Sequence, residues 1–237
     1  MINIINDISM RKAAIVSGVA IMVMTVAAVV ATNLTIGSLI VKDDAVITTN
    51  NIITSEVLFR SGIFSWLIIL ICDVLAAWGL YIFLKPVNKH HSLLMAWFRL
   101  VYAAILGTAL LNYVNVLLLI SGDDYVSSFG IEKFQSQVML SLDAFGNMWS
   151  IGLLVFGIHI FLLGYLALKS GYIPKIWGIL LLIASVGYVI TNSAKLLLPA
   201  YDDYKTVFEL IFIIPMLSEV GLGIWLLIKG VKAQLAE

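Results

Sequence analysis

Four side chains able to hold charge or move a proton stand inside long apolar runs: Asp73, Arg99, His159 and Glu219. Placing charge at the depth of hydrocarbon is costly, so such residues are functional candidates by position alone. Their depths follow from the lysines that close each run. Asp73 precedes Lys85 by 12 residues, His159 precedes Lys169 by 10, and Glu219 precedes Lys229 by 10. At the rise of a helix this puts all three about 15–18 Å above the same boundary, with Arg99 lower but long enough to reach them. Two carboxylates, an imidazole and a guanidinium near one level support three chemistries. They can lock helices together as an ion-pair network, or hold a proton, a cation or a small polar ligand. His159, Asp73 and Glu219 could also ligate a metal. The metal set is thin, because a catalytic zinc generally takes three protein ligands, commonly with two or more histidines. His90 and His91 fall in a connecting loop half a membrane away and read as solvated, and no HExxH helix occurs. Ser65, Ser150 and Ser185 lack a Gly-x-Ser-x-Gly elbow, which gives no nucleophile for acyl transfer.

A second polar layer lies toward the opposite end of the same runs: Arg60, Asn112, Asn115, Asp143, Asn147, Asn192, Lys195 and Glu209. Asn112 and Asn115 are three apart and share a helix face. This layer reads either as interhelical hydrogen bonds with snorkelling ends or as an outward-opening vestibule. Pro215, one turn before Glu219, removes a backbone donor and is expected to kink its helix beside that acid.

The elements that must carry these residues follow from composition. The 237 residues are 62 % hydrophobic and 12 % charged, against roughly 25 % charged in a soluble domain. A helix spanning roughly 30 Å of hydrocarbon needs about 20 apolar residues. Six stretches qualify: 13–41, 62–84, 93–120, 143–168 with a polar approach from Glu132, 176–198 and 207–228. No period of two appears, so these are helices rather than barrel strands. Arg11 and Lys12 ahead of an apolar run resemble a signal peptide, but the run is read as a true span. Outward loops are expected over 42–56, 121–135 and 199–206, and inward loops over 86–91 and 170–174. The inward side holds eight cations (Arg11, Lys12, Lys85, Lys89, Lys169, Lys175, Lys229, Lys232) and the outward side four (Lys42, Arg60, Lys133, Lys205). Both termini are therefore expected in the cytoplasm.

Each outward loop carries an acidic pair, Asp43-Asp44, Asp123-Asp124 and Asp202-Asp203, expected to cap re-entering helices. Several of the six tryptophans fall near run ends and read as interface anchors. A net charge of zero gives no basic face for nucleic acid. The lone Cys72 cannot form an internal disulfide and reads as a small buried hydrophobe.

Gly157-Ile-His-Ile-Phe-Leu-Leu-Gly164-Tyr165-Leu, Lys169-Ser-Gly-Tyr-Ile-Pro174-Lys-Ile-Trp-Gly178 and Gly187-Tyr188 resemble a bacterial membrane family catalogued as domain of unknown function 4386. Arg60 and Asp73, and Phe98-Arg99-Leu-Val-Tyr102, fit the same pattern, and the resemblance covers nearly the whole chain. It implies a bacterial inner-membrane protein and transfers no catalytic residue. The expectation is an all-α polytopic bundle of about six transmembrane helices forming one domain over residues 1–237. The leading function is a non-enzymatic membrane protein holding a proton, a cation or a small polar ligand at mid-membrane, as a transporter, sensor or accessory subunit. The alternatives are an intramembrane metal-dependent hydrolase and a purely structural partner in a membrane complex. No cofactor is expected. Expected partners are the lipid bilayer, a small polar ligand or cation, and another membrane protein or a second copy of the chain.

Overall fold

The computed structural model describes residues 9–122, 130–199 and 201–229, with the side chains of Asp202, Lys205 and residues 209–216 outside that description. All regular structure among the described residues is helical: α1 (Met10–Val29), a π-helical turn (Val30–Leu34), α2 (Ile36–Leu39), α3 (Ala45–Thr54), α4 (Glu56–Leu84), α5 (Lys89–Ser121), α6 (Ile131–Lys169), α7 (Lys175–Leu197), a 3₁₀ turn (Tyr201–Tyr204) and α8 (Lys205–Ile228). Five segments are long and apolar enough to cross a membrane: Met10–Leu39, which joins α1 to α2, and α4, α5, α6 and α7. The sixth helix, α8, runs 24 residues, and its described apolar stretch is Leu217–Ile228. The chain is an all-α polytopic membrane bundle.

Helix ends follow local chemistry. Ser9 caps α1 by accepting from the Lys12 N–H, and Asn88 caps α5 by accepting from the His91 N–H at 3.0 Å. Lys85 and Lys229 stand at the C-caps of α4 and α8, and Lys169 ends α6. Pro174, which cannot donate, stands at the N-cap of α7. Asp44 caps α3, taking the Ile47 N–H at 2.8 Å, as expected for an acidic pair ahead of a re-entering helix. Asp123, Asp124 and the Asp202 side chain lie outside the described residues.

Two details differ from the sequence expectation. The connection over 42–56 is mostly helix, not loop. α3 is tied back to the end of α2 by Asn51 Nδ2 donating to Leu39 O at 3.1 Å and by Thr48, whose hydroxyl accepts from Val41 N at 2.9 Å. The first span is also not a continuous α-helix. It widens into the π turn at Val30–Leu34, where the Thr35 hydroxyl donates to Val30 O and Ala31 O at 2.9 and 3.1 Å. A side chain inserted into the backbone ladder is a usual cause of such a break.

Around the bundle, α1 packs on α4, α4 on α5, α5 on α6, α6 on α7, α7 on α8, and α8 back on α1. Consecutive spans are neighbours and the ring closes, which is the arrangement short connections permit. Small residues let the backbones approach. A Cβ on Gly164 would stand 3.0 Å from Gly178 O and 3.1 Å from Leu182 N, so α6 and α7 touch where only glycine fits. Large apolar side chains such as Phe64, Leu111 and Phe161 point outward and are more than half exposed. Helices apolar on both faces suit lipid outside and a packed core inside.

Candidate functional site

Arg99 is at the centre of the ring. It is the largest side chain with essentially no exposure. Its Nε donates to Asp73 Oδ1 at 2.9 Å, and one terminal nitrogen stands 2.8 Å from the same oxygen. That nitrogen also pairs with Glu219 Oε1 at 3.0 Å and points at Met24 Sδ at 3.4 Å. The other terminal nitrogen meets His159 Nε2 at 3.2 Å, and the guanidinium carbon lies 5.1 Å from the Phe156 ring centre. One guanidinium on α5 thus engages α1, α4, α6 and α8. Its planar fork of five donors is the side chain suited to that load.

The His159 tautomer follows from its partners. Nδ1 lies 2.9 Å from Met95 O, which can only accept, so Nδ1 carries the hydrogen. Arg99 can only donate, so Nε2 offers a lone pair. The imidazole is neutral in this arrangement. The cluster then counts two carboxylates against one cation, an excess of one negative charge when both acids are ionised. Asp73 Oδ1 takes the Nε hydrogen of Arg99 and pairs ionically with its terminal nitrogen, while Asp73 Oδ2 and Glu219 Oε1 are buried without a hydrogen-bond partner.

Asp73 and Glu219 form the floor of a chamber of about 280 Å³. Aromatic walls come from Trp66, Tyr102, Trp149, Phe156 and Tyr188. Trp149 Nε1 donates to the Tyr102 hydroxyl at 3.2 Å, and Trp66 stands edge-on to Trp149 with ring centres 5.0 Å apart. The indole N–H of Trp66 is buried and has no partner. Along α1 the wall rises through Met24, Thr25 and Ala28 to Thr32 and Asn33 in the π turn. π turns are frequent at functional sites. With Tyr188 on α7, all six long helices contribute to the site.

The structure therefore brings Asp73, Arg99, His159 and Glu219 into one connected network. It does not assemble the metal set His159, Asp73, Glu219. Both His159 nitrogens are engaged, and Arg99 stands between the imidazole and the acids; no group of three metal-ligating side chains occurs among the described residues. Ser65, Ser150 and Ser185 turn their hydroxyls onto carbonyls of their own helices.

Among the described residues, Asn192 and Lys195 of the outer polar layer line a cavity of about 220 Å³ that Arg60, Asn112, Asn115, Asp143 and Asn147 do not line. Arg60 pairs along its own helix with Glu56 at 2.6 Å, in an exposed position. Asn112 donates to Ala109 O at 3.0 Å and faces Met148 Sδ, while its face-mate Asn115 is exposed. Asp143 and Asn147 are exposed on α6. Asn192 is buried and donates to Tyr188 O at 2.8 Å, and Lys195 Nζ approaches Gly146 O at 3.4 Å across α6 and α7. The Glu209 and Pro215 side chains lie outside the described residues. Sequence reasoning missed Met24 and the aromatic walls. Several tryptophans read as interface anchors, yet Trp66 is only 3 % exposed and lines the chamber with Trp149. Helical spacing carried part of the signal, since Trp66 lies seven residues before Asp73 on the same helix.

Residues 16–230 match the family described as Domain of unknown function (DUF4386). The chain belongs to this family. It is also similar to an uncharacterized protein of Archaeoglobus fulgidus, 38 % identical over 171 residues, which are 72 % of this chain and 83 % of the relative. The five apolar spans support a multi-pass membrane protein, and an archaeal relative does not specify a bacterial envelope. No solved structure matches the chain.

Proposed function

We propose that this DUF4386 member is a multi-pass membrane protein, one bundle domain over residues 1–237, that binds a proton, a cation or a small polar ligand at the Asp73–Arg99–Glu219 cluster. Its role is that of a transporter, a sensor or an accessory subunit, and not of an enzyme. The observation that carries this reading is a chamber of about 280 Å³ lined by two carboxylates, Asp73 and Glu219, which share one guanidinium and hold one excess negative charge when both are ionised. A cluster built only to hold helices together would gain most from full pairing, because an unpaired buried charge is expensive. A carboxylate pair that one guanidinium does not fully balance, lining a space large enough for a guest, is what a binding site requires.

The orientation follows the cation bias, with both termini in the cytoplasm and the chamber wall rising along α1 toward the outer surface. The membrane is the inner, cytoplasmic one, where the positive-inside rule operates.

Infrared difference spectroscopy on the protein in lipid nanodiscs, stepped through acidic and neutral pH, tests the binding site. The expected result is a carboxylic C=O band that appears and disappears with pH in the wild type and is missing or displaced in Asp73→Asn. Identical difference spectra for the two proteins would refute an exchangeable site at Asp73.

A further inference from the structure

We infer that the occupant of the chamber is a small organic ammonium ion, its N–H groups toward the Asp73 and Glu219 carboxylates and its carbon skeleton against the aromatic walls. This deepens the reading above and rests on it. Three features select this class.

The first is charge. With both acids ionised, two carboxylates, one guanidinium and a neutral imidazole leave one negative charge to balance, which calls for a monovalent cation or a proton. An anion would meet Asp73 and Glu219 with Arg99 already committed to both.

The second is the wall. Trp66, Tyr102, Trp149, Phe156 and Tyr188 present ring surface to the space above the carboxylates. Ring faces attract organic cations, most strongly when desolvated, and a carboxylate beside several rings is the recognition chemistry of an ammonium group. A hard metal ion instead requires six or more oxygen ligands, or a shell of its own water, and finds carbon over most of this surface.

The third is size. The chamber holds about 280 Å³, many times the ~30 Å³ share of a water molecule. A proton alone needs no such space.

The test uses the full chain in nanodiscs at constant ionic strength, with n-butylammonium and its uncharged counterpart n-butanol as probes and thermal unfolding as the readout. Butylammonium is expected to raise the wild-type midpoint in a saturable, concentration-dependent way, and butanol is not. Asp73→Asn, which keeps an acceptor for Arg99, should weaken the butylammonium response by about ten- to a hundredfold. Trp149→Leu leaves both carboxylates in place and should weaken it by about two- to thirtyfold. Equal responses to butanol and butylammonium would overturn the inference in favour of an unselective apolar pocket. So would a butylammonium response unchanged in Asp73→Asn. Absence of any wild-type response while the pH-dependent carboxylic band persists would reject the ammonium ion and leave a proton site standing. Absence of both would remove the binding reading itself.

Discussion

At the scale of single residues, the network distributes its dependence unequally. Arg99 has partners on four other helices, and removing it leaves Asp73 and Glu219 facing one another without a cation. Breaking a buried pair by removing one partner costs about 3–5 kcal/mol. Arg99→Ala is therefore expected to fall at or above that range, and Asp73→Asn clearly below it, because a neutral amide still accepts from the guanidinium. Equilibrium unfolding of the two variants in the same detergent or nanodisc checks the order, and equal losses would argue against Arg99 as the hub. The four ionisable members of this network were legible in the sequence because charge inside an apolar run has so few explanations. Their common depth was legible because three spans end on lysines that act as rulers. Met24 was not legible, since a methionine in an apolar run carries no mark of which way it faces, whereas Trp66, Tyr102 and Phe156 stand at helical spacing from Asp73, Arg99 and His159.

At the scale of elements, the close contact of α6 and α7 depends on Gly164, whose missing side chain admits the backbone of Gly178 and Leu182. Gly164→Leu would drive against backbone atoms that cannot swing away, and overpacking of this kind costs about 1–3 kcal/mol. Gly146, on the same helix, has room: a methyl group added there would meet nothing nearer than Lys195 Nζ at 3.6 Å. Gly146→Ala is thus expected to be neutral or to stabilise by up to about 1 kcal/mol through lost chain entropy. Thermal unfolding of the pair should show opposite signs, and a tolerated Gly164→Leu would mean that these helices do not meet as closely as described. The six long runs were readable from length and hydropathy, and their ends from caps and flanking lysines. The helical connection α3 and the π turn were not. Ala45–Thr54 mixes polar and apolar residues without a run long enough to mark it. The π turn depends on one hydroxyl, Thr35, entering the ladder, which many threonines do without breaking a helix.

At the scale of the whole molecule, the ring of consecutive helices explains how Met24 on the first helix and Glu219 on the last meet the same guanidinium: α8 closes the ring on α1. Orientation is a property of this scale too. Single cysteines placed within 42–56, 121–135 or 199–206, in a Cys72→Ala background, should react with a membrane-impermeant thiol reagent added to intact cells, and cysteines within 86–91 or 170–174 should not. The reverse pattern would invert the bundle and turn the chamber toward the cytoplasm. The most direct test of the central claim is an experimental density map of the protein purified from native membrane. The expected map has the Arg99 guanidinium bridging Asp73 and Glu219 at the bundle centre, with non-protein density beside these carboxylates and between the aromatic walls. A map with Asp73 and Glu219 on lipid-facing surfaces, or separated by roughly two helix diameters, about 20–24 Å, would contradict it.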